Sequence, residues 1–122
     1  MSGIPAAWAI STASVSQASR DANPVTAVFV RESITRQDPA GYAAHCEALS
    51  EAPAADHAAI RCPTLLVAGE NDPVAPVDMV RRLGEQIDGA RVEVIPGIGH
   101  WMMVEAPRRS AELLSAHLEA SA

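Results

Sequence analysis

Aromatic residues are scarce in this sequence: two Trp, one Tyr and one Phe among 122 positions. A core therefore has to be built from Ala, Val, Leu, Ile and Met, which bury less area per side chain than the large rings. Cysteine is scarcer still. Cys46 and Cys62 form no CxxC pair and are too few for a disulfide framework, which points to a reducing compartment, the cytoplasm, and to free thiols. Set beside His45 and His57, they match no regular zinc-ligand spacing. Basic residues number nine against fifteen acidic ones, for a net charge of -6, and they are spread along the chain. That excludes nucleic acid and anionic membrane surfaces as electrostatic partners. No window approaches the roughly eighteen unbroken apolar residues of a membrane span. The first twenty residues lack the basic start of a secretory leader, and residues 1–22 are expected to be loosely ordered.

What is present is punctuated by proline and glycine. Asn23 before Pro24 is a helix start, because Asn caps and Pro is tolerated at the first helical position; a helix is expected over Val25 to Arg36. Asp38 and Pro39 repeat the device and open a second helix with Tyr42, Cys46 and Leu49 on one face. Pro53 ends it, and Ala54 to Ile60 reads as a short helical turn or linker.

At Cys62 the pattern changes. Pro63 to Ala68 (PTLLVA), a continuous apolar run stopped by Gly69, suits a parallel strand covered on both faces. Met79, Val80, Leu83 and Ile87 then mark one face of a helix closed by Gly89. Arg91 to Ile95 alternates as a second strand does. A last helix from about Pro107 to Leu118 is expected to bury Ala111, Leu114 and Leu118. Strand, helix, strand at this spacing is a βαβ unit with parallel strands, whose C-terminal ends lie side by side.

Sites on parallel sheets form beyond those C-terminal ends. Asp72 and His100 occupy the two loops that begin there. Neighbouring strands are about 5 Å apart, so the loops can bring the carboxylate to the imidazole. Each residue alone has a plainer reading, Asp72 as a turn residue before Pro73 and His100 as a loop histidine after Gly97 and Gly99. Together they form the pair that an acid and a general base require: the carboxylate fixes the ring tautomer through Nδ1, and Nε2 accepts a proton. Trp101 and Met102 follow the histidine and are candidates to wall a substrate pocket, with core packing as the alternative. Glu70 and Glu105 read as solvated or helix-start acids.

The stretch PTLLVAGENDPVAP followed by RVEVIPGIGHWMMVEAP resembles the C-terminal segment of α/β-hydrolases, with the acid in a G-x-x-D-x-x-x-P turn and the histidine in a G-H loop. Upstream, VRESITRQDPAGYAAHCEALSEA is similar to a helical cap segment of 3-oxoadipate enol-lactonase-like members, and together the two cover about residues 24–120. The resemblance implies an α/β fold class: a partial α/β-hydrolase fold, a βαβα unit with parallel strands at 61–122, preceded by a cap-like helical segment at 23–60. It also implies hydrolysis of a small ester or lactone by a Ser-His-Asp mechanism, with Asp72 as acid and His100 as base. No metal or organic cofactor is called for.

The family's nucleophile motif, G-x-S-x-G, is missing from the 122 residues. Cys62 precedes its strand and so lies at the opposite end from Asp72 and His100, and the N-terminal serines sit in no strand-to-helix elbow. Three readings follow. The chain supplies acid and base to a split or truncated hydrolase; or it is a non-enzymatic module that pairs with a full-length relative; or Asp72 and His100 activate water directly. In each, a strand with an open edge and an apolar face needs cover, from the chain's own N-terminal segment, a second copy or a separate nucleophile-bearing half; a homodimer or pairing with that half is expected.

Overall fold

The computed structural model of the chain describes residues 4–121. Four helices come first: α1 (Ile4–Ser14), α2 (Gln17–Ala22), α3 (Pro24–Thr35) and α4 (Pro39–Glu51). A single 3-10 turn at His57–Ala59 leads to β1 (Leu65–Gly69), α5 (Val77–Gly84), β2 (Arg91–Ile95), the one-turn α6 (Met102–Glu105) and α7 (Pro107–Ala120).

The two proline-led helices start where the sequence places them. The Asn23 side chain accepts from the Val25 amide and that of Asp38 from the Gly41 amide, with Pro24 and Pro39 in the first turn. Every residue of α4 is exposed; Tyr42, Cys46 and Leu49 do share one face, but it opens on a shallow hollow rather than a core.

The sheet has two parallel strands in the order β1-β2, with Leu66 opposite Val92 and Gly69 opposite Ile95. Because successive side chains point to opposite faces, Leu66 and Val92 meet Gly84 of α5 on one side. On the other, Leu65 and Val67 pack against a cluster of Ile95, Ile98 and Leu113 of α7. The unit is a helix–sheet–helix sandwich whose connection places both strand ends, and the loops after them, on one side.

Four expectations are corrected. Of residues 1–22, expected to be loosely ordered, 1–3 lie outside the described residues, and the rest form α1 and α2, joined at Val15 and Ser16 and packed on α3. Contacts distant in sequence hold them: the Arg31 guanidinium lies 4.2 Å above the Trp8 ring, and Ala7 and Val15 are buried. β1 begins at Leu65 and takes in Gly69, whose close fit to the neighbouring loop suits it to the strand end. α5 ends at Gly84, and Ile87 is buried from the turn beyond it, with Met79 exposed. Finally, α7 buries Leu113, while Ala111, Leu114 and Leu118 are exposed. Ala111 and Leu114 instead line an open apolar groove of about 420 Å³ beside β1, shared with Leu65, Val67 and Met102. Among the described residues no third strand covers that edge.

Candidate active site

The turn after β1 carries Asp72 and the loop after β2 carries His100. The loops are stitched together by backbone: the amides of Glu70 and Asn71 donate to Ile95 O at 3.0 Å and Ile98 O at 2.8 Å. Glu70, expected to be solvated, accepts from the Gly97 amide at 2.8 Å through its carboxylate. The approach leaves no space for side chains: a Cβ on Gly69 would overlap the Gly99 carbonyl oxygen, and one on Gly99 would overlap that of Ser14.

In this frame His100 Nδ1 lies 2.9 Å from Asp72 Oδ2. The other carboxylate oxygen accepts from the Val74 and Ala75 amides at 2.8 and 3.1 Å, a short turn built by the residues that follow. The Asp72 side chain is 2% exposed and that of His100 39%. Burial pushes the Asp72 carboxyl up, but the His100 hydrogen bond, the two backbone amides and the imidazole charge outweigh it, and the pKa lies below the ordinary value. An ionised Asp72 accepting from Nδ1–H leaves Nε2 as the basic nitrogen of the ring.

Trp101 stands edge-on to the imidazole, ring centroids 6.1 Å apart, and its Nε1–H donates to Ser14 Oγ at 2.8 Å. Met102 packs toward Ile95, Ile98 and Leu113 and borders the apolar groove. Sequence reasoning brought Asp72, His100 and Trp101 to one place, and the structure does the same. It missed Ser14, Ser16 and Glu105. One Glu105 oxygen accepts from the Gly99 and Ser16 amides at 2.9 and 3.0 Å, the other from the Trp101 amide at 3.1 Å. Burial raises the Glu105 pKa, and the Gly99 and Ser16 amides with the Ser19 and Ser16 hydroxyls bring it below its ordinary value. The only local sign of this role is an acid shortly after the histidine, a pattern that a helix-start acid shows equally.

Cys46 and Cys62 are exposed and free. Among the described residues no three His, Cys, Asp or Glu side chains stand together as a metal site, and no helix is long and apolar enough to cross a membrane.

A buried carboxylate bonded to Nδ1 of a half-open imidazole, each in the loop after one of two adjacent parallel strands, defines an acid–histidine pair of the hydrolase type. The chain belongs to the α/β hydrolase family, whose model matches residues 3–113. An enol-lactonase from Burkholderia xenovorans superposes with a TM-score of 0.87 and 25% identity over 96% of this chain. A thermophilic esterase from Thermogutta terrifontis superposes with a TM-score of 0.91 and 24% identity over 95% of it. A 2-hydroxy-6-oxo-6-(2'-aminophenyl)hexa-2,4-dienoic acid hydrolase from Metapseudomonas resinovorans is 42% identical over 45 residues, 37% of this chain and 16% of that protein. The chain spans less than half the length of the two solved relatives, 45% of the enol-lactonase and 43% of the esterase.

Proposed function

We propose that this chain supplies the acid and base of a Ser-His-Asp hydrolase for small esters or lactones, with the nucleophile contributed from outside its 122 residues. The observation that carries the reading is the 2.9 Å contact between His100 Nδ1 and the buried, ionised Asp72. Asp72 holds the Nδ1–H tautomer and stabilises the imidazolium; His100 Nε2 takes the nucleophile's proton and returns it to the leaving group. Trp101, edge-on to the ring, and Met102, which borders the neighbouring apolar groove, are the candidate walls for substrate. The substrate class follows the enol-lactonase and esterase likeness. The exposed thiols of Cys46 and Cys62 suit a reducing compartment, the cytoplasm.

The seat for the missing part is the free edge of β1 with the apolar groove of Leu65, Val67, Met102 and Leu114 beside it. Its occupant is a nucleophile-bearing half, since more than half of each solved relative's length lies outside the span matched here. A strand added along β1 pairs its open amides and carbonyls and covers the groove.

The test is complementation. A p-nitrophenyl ester and a small lactone are offered to the chain alone and to the chain mixed with the nucleophile-bearing half of a relative, with light scattering on the same samples. Turnover is expected only in the mixture and is expected to vanish with His100→Ala. Turnover that survives His100→Ala overturns the assignment of the base, and a stable homodimer that refuses the added half favours the interaction-module reading.

A further inference from the structure

We infer that Glu105 is the positioning residue of His100, its carboxylate clamping the histidine loop to the α1–α2 junction so that the ring meets Asp72. The inference rests on the reading of Asp72 and His100 as acid and base. Three consecutive amides around the histidine are all committed. Gly99 donates to one Glu105 oxygen, Trp101 to the other, and His100 itself to Ser14 O at 2.7 Å. With the peptide groups on both sides of His100 fixed, the direction of its Cβ is fixed as well, and the ring is delivered to Asp72 without depending on the side-chain hydrogen bond alone. The same Glu105 oxygen that holds Gly99 holds the Ser16 amide, so one carboxylate joins the loop to the segment between α1 and α2. Trp101 Nε1 and Ser14 Oγ close the bracket from the other side.

The bracket needs a carboxylate. Both oxygens accept, and an ionised carboxylate offers about four lone-pair sites and no donor; bonds to it are roughly twice as strong as bonds to a neutral acceptor. Glutamine has the same shape but places an NH₂ group against at least one N–H donor, so one arm of the clamp has to open. Glu105 touches no reacting atom in this arrangement. Its effect passes through the orientation of the imidazole.

The experiment reads the imidazole directly. Nitrogen-15 spectra of the ring, recorded where it is neutral, distinguish the Nδ1–H from the Nε2–H tautomer. The unmodified chain is expected to hold His100 mainly as Nδ1–H, and Glu105→Gln to move it mainly to Nε2–H while circular dichroism remains unchanged. A purely structural Glu105 lowers stability and leaves the tautomer alone, and that result in folded Glu105→Gln overturns the inference. An Nε2–H ring in the unmodified chain overturns the acid–base reading instead, which separates the two failures. Should Glu105→Gln not fold, amide exchange in the unmodified chain decides: Ser16, Gly99 and Trp101 are expected to exchange slowly and together, and exchange at open-loop rates overturns the clamp.

Discussion

The backbone amide of His100 donates to the carbonyl oxygen of Ser14 at 2.7 Å, so the last turn of α1 is a direct support of the histidine loop. The N-terminal helices are therefore part of the site's scaffold. Ser14, Val15 and Ser16 are buried there, while the His100 side chain remains 39% exposed.

Removing residues 1–22 should accordingly damage the site as well as the helical layer. The cut strips partners from the His100 amide, the Trp101 indole and one Glu105 oxygen. An orphaned buried donor costs about 1–3 kcal/mol. Thermal unfolding is expected to show a large loss of stability, together with loss of the Nδ1–H form of His100. A trimmed chain as stable as the parent would show that the helices are ornamental to the loop.

Asp72→Asn tests the acid while preserving shape. The Asn oxygen can still accept from Val74 and Ala75, which leaves its NH₂ facing His100 Nδ1 and forces that nitrogen to accept. Nε2 is then protonated and cannot act as base. In the complemented assay kcat is expected to fall on the order of 10⁴-fold, with little change in KM. A loss below tenfold contradicts the assigned role.

Much of this arrangement is legible in the sequence, for identifiable reasons. Asn23–Pro24 and Asp38–Pro39 are local capping signals, and α3 and α4 start at them. Asp72 and His100 were placed by topology, since each follows a short apolar strand. The N-terminal helices were not legible, because what orders them lies far along the chain: Ser14 with Trp101, Ser16 with Glu105. Periodicity misread α7 for a different reason. Its apolar residues lie on two adjoining stripes, and the sheet takes the one with Leu113 while Leu114 borders the open groove. Composition cannot show which stripe faces a strand.

Acid should loosen the fold through Asp72 and Glu105. Both carboxyls titrate below their ordinary values of 3.8 and 4.5 in the folded chain, so the unfolded chain binds protons first as pH falls. Their stabilisation is complete above those ordinary values and is lost progressively as pH drops through the lowered ones. Urea unfolding from about pH 7 to about pH 3 is expected to show a falling midpoint below about pH 5, and a shallower fall in Glu105→Gln. A midpoint that rises toward acid reverses the sign and contradicts both shifts.

Gly69→Ala addresses the contact that holds the two site loops together. Gly69 ends β1, and a methyl there would overlap the Gly99 carbonyl oxygen and stand 2.8 Å from that of Ile98. Both obstacles are backbone, so no side chain can rotate aside, and the loop bearing His100 has to move away from the turn bearing Asp72. Overpacking of this kind costs about 3 kcal/mol, read as a fall in urea midpoint. The distinguishing expectation is chemical: the displaced loop stretches the 2.9 Å contact between His100 Nδ1 and Asp72 Oδ2, so the folded variant should lose the Nδ1–H tautomer. Retention of that tautomer beside a large stability loss would mean that the loops yield elsewhere, and that Asp72 and His100 stay joined independently of the strand end.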